Sequence, residues 1–358
     1  MPNHTESNNR NHTRVVIVGA GPIGLELAVA FTKHQVSFQI LDAGAIGQTI
    51  SWWAPQTRWF SSNDRISIAG VPLVTDDQNK ANREQYLTYL RIVVEQFQIE
   101  VQCYRRVVDI QRRESGFTVV SETTNGKTEI NCEIVVLAVG GLDHARRLGV
   151  EGEDLQNVDG YLREPHRYYG RQVLIVGGRN SAVEAALRLH HVGALVSLSY
   201  RGRELSEDNI KYWLYPEITG LIRSGRIQAY FETQPVRITP THVELESVNQ
   251  RGEGGRVSAD DVLTLIGYEQ DKSLFQRAGI KLHGENQQPQ VNEETMETNV
   301  PGIYVAGTAL AGTQASDYRL FLENCHQHVD RIVAQLTGKP VESDDRDSQQ
   351  LIQEAPES

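Results

Sequence analysis

Three glycines in the stretch VGAGPIGL have the spacing of a turn that receives a phosphate group. Gly19 permits the tight turn, Gly21 lets the backbone approach a pyrophosphate, and Gly24 lets the following helix pack against the preceding strand. The amide groups at the start of such a helix donate hydrogen bonds to the anion. Asp42 ends the next apolar run, where a carboxylate accepts hydrogen bonds from ribose hydroxyls. These four residues predict a dinucleotide site.

A second glycine turn, in VLIVGGRNSAVEAAL, departs from that pattern at two positions. Arg179 stands where the middle glycine is expected, and Ala182 where the last one is. The next apolar run ends without a carboxylate, and Arg201 and Arg203 follow it. Guanidinium groups bind a 2′-phosphate through paired hydrogen bonds, so NADPH is favoured over NADH. The alternative is that both arginines only lie in solvent at the end of the strand. The residues predicted to line this site are Gly177, Gly178, Asn180, Ser181, Arg201 and Arg203.

Each turn needs a strand before it and a helix after it, and the sequence supplies both. RVVIVGAGPIGLELAVAF is a β-branched run, a glycine turn and a helix rich in Leu and Ala, and SFQILDAG is the next strand. RQVLIVGGRNSAVEAALRLHHVG and LVSLSYRGR repeat this order. Alternating segments around FTVVSETT and KTEINCEIVVLAVG indicate an antiparallel sheet between the two units. The predicted fold is therefore α/β, with two Rossmann-like dinucleotide-binding domains.

The charge and hydropathy of the chain argue against several kinds of partner. The 358 residues include 35 Lys and Arg and 46 Asp and Glu, a formal net charge of −11, so neither nucleic acids nor anionic membranes are expected partners. The longest apolar runs have the length of a strand, too short to span a membrane. No signal-peptide pattern precedes them, so we expect a cytoplasmic protein. Cys325, His326 and His328 lack the spacing of helical zinc ligands, and no metal site is predicted.

Together with further segments, the two turns resemble the pyridine nucleotide-disulfide oxidoreductase superfamily, and more closely its thioredoxin-reductase-like members that include the bacillithiol-disulfide reductases. The segments, in chain order, are GAGPIGL, FSSNDRISIAGVPLV, VLAVGGLDHARRLGVEGEDL, VLIVGGRNSAVEAAL, NEETMETNVPGIYVAGT and FLENCHQH. The resemblance implies two three-layer ββα domains, with an NADPH domain (162–262) inserted into an FAD domain (14–161 and 263–338). Residues 1–13 and the acidic residues 339–358 are predicted to be disordered.

The resemblance also implies which residues hold each cofactor. Those for FAD are Gly19, Gly21, Pro22, Gly24, Asp42, Ala138, Gly140, Gly307 and Thr308. For NADPH it adds Gly267 to the residues of the second turn. Many relatives carry an aspartate at the position of Thr308, so the contact to the flavin would here be an uncharged hydrogen bond.

One position of the first turn departs from the relatives in a way that bears on the chemistry. In the bacillithiol-type members a cysteine lies between the proline and the last glycine, beside the flavin, and here that residue is Ile23. Isoleucine forms neither a thiolate nor a mixed disulfide. Cys132 is expected to be buried in an apolar strand, Cys103 to lie on another strand, and Cys325 well inside the C-terminal helix. None is an obvious replacement, and no catalytic residue is assigned.

These observations predict an FAD-dependent NADPH oxidoreductase whose reduced flavin passes electrons to an unidentified acceptor. That acceptor is a low-molecular-weight disulfide such as bacillithiol disulfide, or a redox protein. Two alternatives stay open. The histidine-aromatic segment YLREPHRYYG before the second turn suggests a flavin monooxygenase, and Ile23 with Arg179 suggests a redox sensor that binds both cofactors without turnover. Since relatives are commonly homo-oligomers, a homo-oligomer is expected.

Overall fold

The computed structural model describes residues 12–250, 252, 254–313 and 320–339. In chain order its strands are β1 (His12–Val18), β2 (Phe38–Leu41), β3 (Val101–Gln102), β4 (Arg106–Arg112), β5 (Phe117–Thr123), β6 (Gly126–Leu137), β7 (His144–Ala145), β8 (Val158–Asp159), β9 (Gln172–Val176), β10 (Leu195–Tyr200), β11 (Gln228–Phe231), β12 (Thr233–Ile238), β13 (His242–Ser247), β14 (Gly254–Ser258), β15 (Asp261–Thr264), β16 (Tyr268–Glu269), β17 (Leu282–His283), β18 (Gln288–Pro289) and β19 (Ile303–Val305). The α-helices are α1 (Pro22–Lys33), α2 (Gln48–Ser51), α3 (Asn63–Ile66), α4 (Arg83–Gln96), α5 (Asn180–His191), α6 (Tyr215–Arg223), α7 (Ser273–Arg277) and α8 (His326–Thr337). The 3₁₀ helices are η1 (Pro165–Tyr168), η2 (Glu207–Asn209), η3 (Gly307–Ala311) and η4 (Leu322–Asn324).

The chain folds into two compact units, and the second is inserted in the sequence of the first. The second unit comprises 53–55 and 144–269, and the other described residues belong to the first. The sequence placed the boundaries of the insertion at 162 and 262, which is narrower than the structure shows. Strand pairing explains the difference, because β8 pairs with β15 and β7 pairs with β16, so both ends of the insertion are held within the second unit.

The first unit is built on a mixed sheet with the strand order β3-β2-β1-β6-β5-β4, and β19 lies beside β6. β1 pairs in parallel with β2 and β6, whereas β4, β5 and β6 form an antiparallel meander. The β-branched run of β1 is fully buried at Val15, Val16 and Ile17, as expected of a central parallel strand. The parallel pairing places the carboxyl ends of β1, β6 and β19 at one edge of the sheet.

The predicted disordered tails fall mostly outside the described residues, with one correction. Residues 1–11 and 340–358 are not among those described. His12 and Thr13 were assigned to the N-terminal tail, but they begin β1, because they pair with Asn131 and Cys132 of β6. The first strand therefore starts before its apolar run does.

The second unit contains a fully parallel sheet in the order β11-β10-β9-β15-β8 and a separate antiparallel sheet in the order β12-β13-β14. The apolar face of α5, which includes Val183, Ala186 and Leu187, shares one buried core with Ile175 of β9 and Leu198 of β10. This βαβ arrangement brings the carboxyl ends of β9 and β10 to the turn that begins α5. A mixed sheet in the first unit and a parallel sheet in the second, both combined with helices, confirm the predicted α/β fold class.

Among the described residues, no group of three or more His, Cys, Asp or Glu side chains lies close enough to hold a metal ion. In the same part of the chain, no helix has both the length and the apolar character needed to cross a membrane.

The first turn makes a sharp prediction for stability. In Gly24→Ala, the new Cβ would lie 1.9 Å from the carbonyl oxygen of Gly19, so backbone must move and we expect the free energy of unfolding to fall by roughly 3 kcal/mol. Gly21→Ala is the matched control, since its Cβ would meet nothing within 4 Å and the change should stay within about 1 kcal/mol. Urea denaturation of the cofactor-free proteins measures both, and equal stabilities would contradict the close approach.

Candidate functional site

The turn between β1 and α1 is held by a close approach of backbone to backbone. Gly19 has a φ of +109°, and a Cβ there would lie 2.3 Å from the carbonyl oxygen of Ala138. The Ala138 N–H in turn donates to the carbonyl of Val18 (2.8 Å) and continues the pairing of β1 with β6. The turn and the end of β6 therefore fit together only because residues 19 and 24 are glycines.

Asp42, at the end of β2, anchors the same turn through its carboxylate. One oxygen accepts the N–H of Ala20 (2.7 Å) and the other accepts the N–H of Gly44 (2.8 Å). Burial raises the pKa of this carboxyl, while the two hydrogen bonds and the charge of Arg106 act in the opposite direction. A carboxylate offers about four acceptor positions, so both oxygens retain the capacity to accept ribose hydroxyls.

The start of α1 has the properties of an anion site. No side chain caps this helix, whereas α4 is capped by a reciprocal pair formed by Asn82 and Gln85. The space beside Gly21 is open, because a Cβ built there meets no atom within 4 Å. The N–H groups in the first turn of α1 are not capped and lie next to open space, so they can donate hydrogen bonds to the pyrophosphate of a dinucleotide. Pro22, at the first helical position, is compatible with this role because its missing N–H is not needed there.

The carboxyl ends of β6 and β19 bring four predicted residues together in the first unit. A Cβ on Gly140 would stand 4.0 Å from the hydroxyl oxygen of Thr308, and one on Gly307 would stand 3.3 Å from Cβ of Ile23. Ile23 is 6% exposed and packs against the turn that follows β19. Ile23 is therefore a packed apolar side chain.

Two polar side chains that the sequence analysis did not select hold these loops in place. Gln270 donates from Nε2 to the carbonyl oxygens of Gly140 and Ala309, both at 2.9 Å, and so ties the two loops together. The Nδ1 atom of His328, on α8, accepts the N–H of Gly307 (3.2 Å). Gln270 lies between Glu269 and Asp271, and His328 lies in the polar segment HQHVDR, so the local sequence gives no signal for the role of either residue.

The second turn repeats the first with different side chains. Arg179 has φ −114° and ψ −173°, close to the φ −76° and ψ −178° of Gly21, so the arginine occupies extended backbone without strain. A Cβ on Gly177 would lie 2.4 Å from the carbonyl oxygen of Leu265, so this glycine is required as Gly19 is. No side chain caps α5, and its first amides are left for an anion as those of α1 are.

Tyr200, which the sequence analysis did not single out, explains the glycines around it. Its ring occupies the space that a Cβ would take on Gly178 and on Gly202, at 2.4 Å in both cases. Arg201 and Arg203 are exposed, and neither donates a hydrogen bond or forms an ion pair within the described residues. The guanidinium groups at the end of β10 are thus available to a ligand.

Other predicted residues of the second site have structural partners of their own. Asn180 Oδ1 accepts the N–H of Lys211 (2.8 Å) and holds the segment that follows η2 against the start of α5. Ser181 is exposed in the first turn of that helix. Gly267 accepts the Arg146 N–H at its carbonyl (3.0 Å), and no described contact brings it to the second turn.

The three cysteines of the chain are unsuited to thiolate chemistry. No two of them form a disulfide. Burial raises the pKa of Cys132 to about 12 and that of Cys325 further, and burial together with the charge of Asp42 raises the pKa of Cys103. Cys132 is 3% exposed in β6, as the sequence predicted, but Cys325 precedes α8 and is not inside it, because that helix begins at His326.

Comparison with known proteins agrees with this arrangement. The family model described as pyridine nucleotide-disulphide oxidoreductase matches residues 16–307. The chain is 33% identical to bacilliredoxin reductase Bdr of Bacillus subtilis (strain 168). The alignment extends over 326 residues and covers 91% of this chain and 98% of that protein. The chain belongs to the pyridine nucleotide-disulphide oxidoreductase family. Its structure superposes on bacillithiol disulfide reductase Bdr from Bacillus cereus with a TM-score of 0.85 at 33% identity, covering 91% of this chain and 99% of the other.

A second group of relatives within this family bears the name of a different acceptor. Ferredoxin--NADP reductase 1 of Oceanobacillus iheyensis (strain DSM 14371 / CIP 107618 / JCM 11309 / KCTC 3954 / HTE831) is 27% identical over 310 residues, covering 83% of this chain and 82% of that protein. The family membership confirms the predictions of an NADPH-dependent flavoprotein oxidoreductase and of FAD and NADPH as its cofactors. The two uncapped helix starts and the open space beside Gly21 fit these cofactors.

His328 makes the stability of the protein depend on pH in a defined window. Burial, with smaller contributions from Arg331 and His326, lowers the pKa of His328 from 6.5 to about 4. The unfolded chain therefore takes up a proton first as the pH falls, so stability is lost between pH 6.5 and about pH 4, by about 3 kcal/mol.

His328→Asn removes this titration and keeps an acceptor for Gly307. Between pH 7 and pH 4.5, we expect its free energy of unfolding to fall by about 2 kcal/mol less than that of the wild type, as measured by urea denaturation. Parallel pH profiles for the two proteins would show that His328 is not the group responsible.

Proposed function

We propose that the first unit binds FAD, that the second binds NADPH, and that the reduced flavin passes electrons directly to an acceptor without a protein thiol. When bound, FAD accepts a hydride from NADPH and returns the electrons to an acceptor. The residues assigned to FAD are Gly19, Gly21, Pro22, Gly24, Asp42, Ala138, Gly140, Gly307 and Thr308. Those assigned to NADPH are Gly177, Gly178, Asn180, Ser181, Arg201, Arg203 and Gly267.

The residues of the first unit bind and orient the flavin nucleotide in this proposal. The first amides of α1 receive the pyrophosphate, and the carboxylate of Asp42 receives the ribose while it anchors the turn through Ala20. Thr308 and Gly140 lie together at the ends of β19 and β6, where the Thr308 hydroxyl offers a neutral hydrogen bond. Ile23 excludes water from the space beside Gly307 and adds no charge.

The observation that carries the proposal is that neither residue 23 nor any of the three cysteines offers a reactive thiol. Ile23, at the position where the family resemblance implies a cysteine, packs on Gly307. Each of the three cysteines has a raised pKa, so none forms a thiolate readily near neutral pH. Electrons must then leave from the flavin itself, which favours an acceptor that reaches the flavin over one that exchanges with a protein disulfide.

The names of the relatives support two classes of acceptor. Bacillithiol disulfide reductase Bdr from Bacillus cereus is 33% identical and favours a low-molecular-weight disulfide, which we propose first. Bacilliredoxin reductase Bdr of Bacillus subtilis, also 33% identical, is named for a redox protein and favours one as the acceptor. The reductases named for ferredoxin are 27% identical and favour a redox protein. A cytoplasmic location and a homo-oligomer remain predictions.

A cysteine-free variant tests the absence of a thiol relay. Replacing Cys103, Cys132 and Cys325 by alanine should leave NADPH oxidation with the best acceptor, bacillithiol disulfide or ferredoxin, within about threefold of the wild type, because no step uses a thiol. The single variants serve as controls for losses caused by unfolding. A loss of about a hundredfold in one folded single variant would show that this cysteine takes part.

The two exposed arginines predict the nucleotide preference. Arg201→Ala combined with Arg203→Ala should weaken NADPH binding by about a hundredfold and leave NADH binding unchanged, because only NADPH carries the 2′-phosphate. Arg256→Ala on β14 is the control, since it also removes an arginine of the second unit, from the antiparallel sheet and not from the end of β10. Nucleotide fluorescence titrations measure the affinities. Equal weakening for NADPH and NADH would mean that the arginines do not recognise the 2′-phosphate.

A further inference from the structure

The turn that follows β19 depends on one hydrogen bond from a distant part of the chain. Gly307 is buried, and its N–H donates to Nδ1 of His328 at 3.2 Å. The preceding N–H, of Ala306, donates to the carbonyl of Leu137 (3.0 Å) and so belongs to the pairing with β6. Without His328, the Gly307 N–H would be a buried donor without a protein partner, which is costly.

The imidazole can accept this bond because of how it is held. His328 is 4% exposed on α8, which also buries Val329, Ile332 and Val333. Since Nδ1 accepts a hydrogen bond, it carries no proton, and the single proton of the neutral ring lies on Nε2. Burial and the positive charges of Arg331 and His326 on the same helix all disfavour the charged ring, so the acceptor is retained at neutral pH.

The turn that His328 holds is part of the proposed flavin site. Gly307 has a φ of +75°, and the side chain of Ile23 packs 3.3 Å from the position of its missing Cβ. The hydroxyl of the next residue, Thr308, faces Gly140 across the ends of β19 and β6. Any rotation of the peptide between Ala306 and Gly307 would move Thr308 relative to both neighbours.

We propose that His328 is a positioning residue, which fixes the Gly307–Thr308 turn through the Gly307 N–H and thereby sets how tightly the chain holds FAD. The proposal rests on the assignment of FAD to the first unit. A positioning role differs from a merely structural one in one respect. Loss of the hydrogen bond should lower the affinity for FAD in protein that is still folded.

The experiment compares side chains that keep or remove the acceptor at the position of Nδ1. FAD-loaded full-length protein is diluted serially, and the fluorescence of released FAD gives the dissociation constant, while circular dichroism verifies that the protein is folded. His328→Leu removes the acceptor and should raise the dissociation constant at least about tenfold. His328→Asn places Oδ1 where Nδ1 was and should stay within about threefold of the wild type.

Two further variants keep the test decisive. Val329→Ala creates a cavity on the same helix and should lower stability with a dissociation constant within about threefold of the wild type. If His328→Leu does not fold, His328→Gln replaces it in the experiment. The polar group of glutamine lies where Nε2 was, so the Gly307 N–H is left unpaired. The same rise of about tenfold in the dissociation constant for FAD is expected.

Three results would overturn the role of His328. The first is an unchanged dissociation constant for FAD in the folded leucine or glutamine variant. The second and third are a dissociation constant raised as much in His328→Asn, or as much in Val329→Ala, as in His328→Leu. A wild-type protein that binds no FAD would instead refute the proposed function, and with it this inference. A wild type that binds FAD while the leucine variant binds it equally well refutes only the role of His328.

Discussion

The architecture of the first unit depends on a contact that only a missing side chain permits. The helix α1 begins so close to the end of β1 that a Cβ on Gly24 would lie 1.9 Å from the carbonyl oxygen of Gly19. This approach brings the uncapped amides of α1 to the edge where β1, β6 and β19 end, and it places Ala20 where Asp42 binds its N–H. The proposed anion site, the proposed ribose acceptor and the loops assigned to the flavin share this edge for the same steric reason.

The second unit shows which parts of that constraint are general. A Cβ on Gly177 would clash with the carbonyl oxygen of Leu265, as a Cβ on Gly19 would clash with that of Ala138. The first glycine of the turn is therefore required in both units. The middle position is not, because its backbone is extended and accepts Arg179. The methyl group of Ala182 is likewise tolerated. Arg179 adds a positive charge at the turn to which we assign NADPH, a nucleotide that carries both a pyrophosphate and a 2′-phosphate.

The sequence was sufficient to predict the two turns and the α/β class, because glycine spacing and strand-helix-strand order are local patterns, and the resemblance of six segments gave the family. It was insufficient for His328, Gln270 and Tyr200, whose partners are distant in sequence or set by ring packing, so no local pattern identifies them. The predicted bounds of the inserted domain differ from those of the second compact unit, because the short strands β7 and β8 carry little apolar signal and only their pairing assigns them to that unit.

The central claim is that electrons leave this protein from the flavin and not through a protein thiol. Anaerobic titration of the FAD-loaded protein with NADPH, followed by flavin absorbance and by a thiol reagent, tests it most directly. We expect that one NADPH per flavin bleaches the absorbance completely and that no additional thiol becomes reactive. Consumption of a second NADPH together with newly reactive thiols would contradict it, because a protein disulfide would then have accepted the electrons.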